Sequence, residues 1–168
     1  MDTEKLLNNF KKENIEFKLY NHVALNTVED SVKMRGEISG AHTKNLFLKN
    51  KKNEFFLFSC LENTAIDLKK LKIILNLGNI SFANEKYLEQ ILKVKPGAVT
   101  PYGLLNDIND KTKFFLDFKI LEYEKINFHP LVNTMTVTLK TKDFINFIKK
   151  NNKLVKILNF DNYTLIDE

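Results

Sequence analysis

Cysteine, tryptophan, glycine and proline are all scarce in this chain of 168 residues, which has one cysteine, no tryptophan, five glycines and three prolines. The single cysteine, Cys60, has no second thiol with which to form an internal disulfide or a cysteine-based zinc site. We therefore expect a fold that needs neither a disulfide nor a structural metal. Such cysteine usage is typical of a reducing compartment, so we predict a cytoplasmic protein.

Long apolar runs are lacking as well. No run approaches the roughly 18 to 20 apolar residues that span a bilayer, and residues 1–14 have no signal-peptide stretch. We expect no membrane partner. The formal net charge is +5, but the 26 basic residues are spread along the chain and all except Arg35 are lysine. This charge favours a polyanionic partner only weakly, and a solvated lysine surface is the default interpretation.

Several catalytic motifs are missing. The sequence has no GxxxxGK[ST], GxGxxG, HExxH or GxSxG pattern, so nucleotide hydrolysis, dinucleotide redox chemistry and zinc proteolysis lose their usual support. His22, His42 and His129 lie far apart in the sequence, and we expect neither a metal site nor a cofactor. Cys60 follows an apolar strand and favours a buried, inert thiol.

The residues that are present predict one folded domain. The chain is 43% hydrophobic and has fourteen phenylalanines and five tyrosines, which is enough for a substantial core. Helical and strand-like periodicities alternate along the chain, so the fold class is α/β in the broad sense, a mixed α+β domain with a central mixed sheet and helices around it. The predicted helices cover residues 3–14, 28–35, 68–76, 85–93 and 143–152. The predicted strands cover residues 15–22, 45–49, 54–60, 80–83, 113–121, 125–128, 135–139 and 155–160.

Three segments are harder to explain by packing alone. In the first, residues 40–48, a small-residue turn brings Lys44 and Asn45 to the mouth of an apolar strand. In the second, residues 97–104, glycines allow close backbone approach, and N–H groups ahead of a helix start at Pro101 can face an oxyanion or a phosphate. The third, residues 128–134, places His129 between two strands. Each has a plain alternative: a surface lysine, a simple turn and a structural histidine.

In this order and spacing, the three segments resemble the YbaK/ProX family of aminoacyl-tRNA editing domains. The resemblance is strongest to the free-standing ProX or PrdX branch, the alanyl-tRNA(Pro) deacylases, which are related to the editing insertion of bacterial prolyl-tRNA synthetases. That branch has a TKNLFL-type strand, a G-S-V-[ST]-P-[FY]-G-L loop and an F-H-P-x-x-N-x-x-T segment, which match residues 43–48, 97–104 and 128–136. Ala98 stands where serine is common in the family.

The resemblance implies a single editing domain over residues 1–168, with a largely antiparallel sheet. It also implies hydrolysis of the ester that joins a wrong amino acid to the terminal adenosine of tRNA, which needs preorganised donors for the developing oxyanion. The residues to which it assigns catalysis are Lys44, Asn45, Gly97, Ala98, Val99, Thr100 and His129.

Each of these residues has an expected role by that resemblance. The backbone from Gly97 to Thr100 is the oxyanion site. Lys44 supplies positive charge to the terminal phosphate or the acyl end, and Asn45 binds the ribose or the aminoacyl group. His129 lines the amino-acid pocket or orients water, and a route in which the ribose 2′-hydroxyl activates water stays open.

The expected substrate-binding residues are Gly103 in the loop and the hairpin lysines Lys49, Lys51 and Lys52, for which a purely solvated role is equally compatible. The expected partners are the acceptor end of mischarged tRNA(Pro) and, as a second candidate, prolyl-tRNA synthetase. Alanine is the expected amino acid, because a small second pocket can reject proline where the synthetase cannot reject alanine by size. Cysteine or another small residue is an alternative, and a non-catalytic module that binds aminoacyl-tRNA or a synthetase is another.

Overall fold

The structure is a computed structural model that describes residues 1–24, 33 and 38–166. The short helix predicted over residues 28–35 therefore falls, apart from Lys33, outside the described residues. Within the described part of the chain, no helix is both long enough and apolar enough to cross a membrane.

The helices begin where the sequence supplies capping side chains. Helix α1 starts after Asp2, whose carboxylate accepts a hydrogen bond from the Lys5 amide at 2.9 Å, and it buries Leu6 and Phe10. Asp67 caps the next helix in the same way. The helices are α1 (Thr3–Lys12), α2 (Leu68–Ile74), α3 (Glu85–Tyr87), which continues into a π-helical turn (Leu88–Leu92), and α4 (Thr141–Lys150).

The strands of the described residues form two sheets. Their bounds are β1 (Phe17–Asn21), β2 (Thr43–Asn50), β3 (Phe55–Leu61), β4 (Ile80–Phe82), β5 (Thr112–Asp117), β6 (Lys125–Phe128), β7 (Met135–Lys140), β8 (Val155–Asn159) and β9 (Thr164–Ile166). The larger sheet has the order β4-β2-β3-β5-β8-β9, and the smaller has the order β1-β7-β6. Only the pairs β3–β5 and β5–β8 are parallel among the described strands, so the mixed, largely antiparallel fold class is confirmed.

The two faces of the larger sheet carry separate hydrophobic clusters. The first cluster packs Phe47 and Leu57 against α1, α4 and the smaller sheet. The second packs Leu48 and Phe58 against α2. Since successive strand residues point to opposite faces, neighbouring residues of β2 contribute to different clusters.

The strands differ from the sequence prediction at two places. The strand predicted over residues 113–121 ends at Asp117, because the Asp117 carboxylate accepts from the Lys119 amide at 3.1 Å and starts a 3-10 helix over Phe118–Glu122. Strand β9 was not predicted. It pairs antiparallel with β8 at the sheet edge, where all three of its residues are exposed and leave no strong apolar pattern.

Candidate active site

Asn45 joins the first predicted segment to the second. Its side-chain Nδ2 donates to the Val99 carbonyl at 3.1 Å, and its Oδ1 accepts from the buried Ser59 hydroxyl at 2.6 Å. Ser59 is the register partner of Asn45 across the β2–β3 hairpin. The Val99 carbonyl can only accept, which fixes Nδ2 as the end of the amide that faces it, so Asn45 holds the loop at Val99.

The loop that Asn45 holds contains unused backbone donors. Gly97 has φ +84°, a left-handed conformation that disfavours other residues. The Ala98 amide donates to the Lys95 carbonyl at 3.0 Å, so this N–H is not free for an oxyanion. The amides of Val99 and Thr100 have no acceptor among the described residues. Because the peptide is planar and trans, the bond from Asn45 to the Val99 carbonyl directs the Thr100 N–H away from Asn45.

The rest of the loop is closely packed. The helix predicted to start at Pro101 is a 3-10 helix over Pro101–Asn106, and the Thr100 hydroxyl accepts from the Tyr102 amide at 3.4 Å. A Cβ at Gly103 would lie 2.8 Å from the Leu92 Cβ. Gly103 is therefore placed in a close packing contact, and its expected substrate-binding role has no direct geometric support.

Strand β6, which leads into the third segment, lies beside the start of β2. The Thr43 hydroxyl donates to the Asn127 carbonyl at 2.8 Å, and Ala41 forms a parallel bridge with Ile126. Phe128 packs edge-on against Tyr102 of the loop, with ring centroids 6.0 Å apart. The fold thus brings together all three segments that the sequence singled out.

His129, directly after β6, is held as a neutral imidazole. Its Nδ1 donates to the Met135 carbonyl at 2.7 Å, so in the neutral ring Nε2 is unprotonated. Burial lowers the pKa of His129 below its ordinary value of 6.5, the bond to Met135 raises it, and the neighbouring His22 lowers it again. The result is a half-buried hydrogen-bond acceptor at neutral pH.

His22 is a neighbour that sequence reasoning missed. Its ring centroid lies 6.0 Å from that of His129. Its Nδ1 bonds the Val23 carbonyl at 2.8 Å, and its Nε2 bonds the Thr136 hydroxyl at 2.9 Å. No motif signals the pair, because it depends on β1 and β6 lying on either side of β7.

Lys44 lies on the opposite side of β2 from Asn45. Its register partner is Cys60, which belongs to the second cluster, and its Nζ donates to the Thr64 carbonyl. Among the described residues no carboxylate pairs with this half-buried ammonium. Two of its three N–H donors therefore have no acceptor within this described part of the chain.

The hairpin lysines lie far from the loop. Lys51 and Lys52 are exposed in the turn after β2, and the Lys49 ammonium lies 5.2 Å from the centre of the Tyr87 ring. At about 3.3 Å per residue, the turn is roughly 20 Å along β2 from Asn45. The structure does not bring these lysines to the three segments, and their contact with tRNA stays a prediction.

Other reactive groups add no second centre. Burial raises the pKa of Cys60 to about 12, so its thiol stays protonated at neutral pH. Across residues 1–24, 33 and 38–166, no three side chains of His, Cys, Asp or Glu come together as metal ligands.

Comparison with known protein families shows which family this chain belongs to. A family model described as an aminoacyl-tRNA editing domain matches residues 22–147, which include all three segments. The chain belongs to the aminoacyl-tRNA editing domain family. The resemblance drawn from the sequence is therefore confirmed at the family level.

Editing-domain relatives match over most of their length. The prolyl-tRNA synthetase associated domain-containing protein 1 of Bos taurus is 39% identical over 152 residues, covering 88% of each chain. The prolyl-tRNA editing protein ProX of Acetoanaerobium sticklandii is 31% identical over 145 residues, covering 86% of this chain and 88% of that protein. A crystal structure of a candidate trans-editing enzyme for prolyl-tRNA synthetase has a TM-score of 0.68 at 14% identity, covering 99% of this chain and 97% of that one. This structural similarity supports the fold.

Proposed function

We propose that this editing domain hydrolyses the aminoacyl ester of mischarged tRNA(Pro), with alanine as the preferred amino acid. The observation that carries the proposal is the loop held by Asn45, with its free Val99 and Thr100 amides. The ProX relative, whose name places it in prolyl-tRNA editing, supports the choice of tRNA.

The loop amides suit the charge that develops in ester hydrolysis. Water attacks the carbonyl carbon and loses a proton, and the carbonyl oxygen becomes negative; the bond to the ribose oxygen then breaks, and that oxygen takes up a proton, which releases the amino acid and intact tRNA. Thr100 is fully buried, and a buried donor that has no partner is costly unless an acceptor arrives; an oxyanion is such an acceptor. Val99 and Thr100 are the proposed donors, supported by the turn at Gly97 and Ala98.

His129 and Lys44 are proposed to contact other parts of the substrate, Lys44 from the opposite side of β2. The unprotonated Nε2 of His129 can accept a hydrogen bond from the attacking water or from the substrate amino group. Lys44 can bind the terminal phosphate with the two donors that Thr64 leaves free. Asn45 acts by positioning the loop, and the hairpin lysines add distant phosphate contacts.

A panel of charged tRNAs tests this function. The purified protein is incubated with tRNA(Pro) charged with alanine, cysteine or proline and with tRNA(Ala) charged with alanine, and ester loss is compared with spontaneous hydrolysis. We expect selective loss of alanyl-tRNA(Pro). Preference for cysteine would retain the chemistry and reject alanine as the substrate, whereas binding without hydrolysis would indicate a non-catalytic module.

A further inference from the structure

His22 and His129 meet because their strands flank β7. His22 directly follows β1, and its backbone amide donates to the Thr134 carbonyl at 2.9 Å. His129 directly follows β6. Both rings are anchored to the first residues of β7, at Thr136 and Met135 respectively.

The two rings have different chemical capacity. In the neutral form of His22, Nδ1 donates to the Val23 carbonyl and Nε2 accepts from the Thr136 hydroxyl, so both nitrogens are used. His129 uses only Nδ1 among the described residues. The His22 ring is therefore held at both nitrogens, whereas the neighbouring His129 ring has Nε2 available as an acceptor.

We propose that His22 is a positioning residue that holds the His129 imidazole in the orientation in which Nε2 meets the substrate or the attacking water. The inference rests on the proposed function, because the role of His129 belongs to that function. The Thr136 hydroxyl anchors His22, and the Met135 carbonyl anchors His129. A ring fixed on two sides loses little freedom when a substrate binds.

Two matched sets of variants test this inference. His22→Ala removes the neighbouring ring, while Thr136→Val removes only its anchor and Thr136→Ser keeps the hydroxyl. On alanyl-tRNA(Pro) we expect kcat to fall about tenfold in His22→Ala with little change in KM, because misplacement affects the reacting geometry more than binding. Thr136→Val should lose less, and Thr136→Ser should retain the wild-type rate.

A double variant separates positioning from general damage. If His22 acts through His129, then adding His22→Ala to His129→Ala causes no further loss of kcat. An equal loss in both backgrounds, wild-type kcat in His22→Ala, or full activity of His129→Ala would overturn the inference.

Nitrogen NMR of the histidine rings gives a readout that does not need activity. Above the histidine pKa, wild-type His129 should show sharp ring signals of one Nδ1–H tautomer, which the Met135 carbonyl sets, and His22→Ala should broaden these signals by exchange between ring orientations. Equally sharp His129 signals in His22→Ala would reject the positioning role. Failure of the wild type on every charged tRNA would instead reject the proposed function and leave this result standing.

Discussion

The two sides of strand β2 are built from opposite kinds of interaction. On one side, Asn45 works through uncharged hydrogen bonds to Ser59 and Val99 and fixes a backbone loop. On the other, Lys44 places a charge against the Thr64 carbonyl, near the buried carboxylate of Asp117, to which the Thr64 hydroxyl donates at 3.4 Å. Adjacent residues thus serve separate tasks, because a strand directs them to opposite faces.

The largest expected effect comes from the charged side. Lys44→Met keeps most of the apolar stem and removes the ammonium, so we expect deacylation of alanyl-tRNA(Pro) to fall about 100-fold or more, because the contact that positions the terminal phosphate is lost. Steady-state kinetics and a circular dichroism melt measure activity and folding. Wild-type activity in a folded Lys44→Met would remove Lys44 from the mechanism.

The next effect comes from the loop side. Asn45→Asp still accepts from Ser59 but cannot donate to the Val99 carbonyl, which it then repels. We expect kcat to fall about tenfold to 100-fold with KM little changed, and the free energy of unfolding to fall by about 1–3 kcal/mol. Kinetics and urea unfolding check both. If KM rose while kcat stayed constant, Asn45 would be a substrate contact instead of a loop anchor.

His129 should show a smaller loss and a distinct pH signature. His129→Gln is expected to lower activity less than Lys44→Met. Because burial lowers the folded-state pKa of His129, the unfolded chain binds more protons between that pKa and 6.5, so the free energy of unfolding rises with pH in this window. Urea unfolding of the wild type should show a steeper rise than His129→Gln. Equal slopes would contradict the depressed pKa.

The smallest expected effects come from two tyrosine hydroxyls, one in each of the two hydrophobic clusters. The Tyr102 hydroxyl, in the first cluster, is fully buried and has no hydrogen-bond partner among the described residues. The Tyr163 hydroxyl, in the second, accepts from the Asp67 amide at 2.7 Å. Tyr102→Phe should therefore raise the free energy of unfolding by about 1 kcal/mol, and Tyr163→Phe should lower it by a similar amount. If urea unfolding showed that both substitutions lower the free energy of unfolding, the Tyr102 hydroxyl would have a hydrogen-bond partner.

Local sequence patterns predicted much of the fold. The hairpin of β2 and β3, the capped helix α1 and the 3-10 turn at Pro101 all depend on residues close together in the chain. The division of the strands into two sheets depends on distant pairings such as β1 with β7, which no local period records.

The candidate site likewise combines residues that the local sequence predicts with contacts that it does not. The loop, Lys44 and His129 stand out locally by residue type. The Ser59 bond to Asn45 and the His22 contact with His129 link residues from different elements, and Ser59 has no recognisable motif. The alternation of side chains along a strand could by itself have predicted that Lys44 and Asn45 lie on opposite faces of β2.

The central claim is that the Val99 and Thr100 amides receive the carbonyl oxygen of the substrate. Amide NMR with a stable 3′-alanylamido analogue of the terminal adenosine tests it most directly. The account predicts that the largest amide shifts occur at Val99 and Thr100, with smaller shifts at His129. Saturable binding that shifts only other amides, such as those of the hairpin turn, would contradict it.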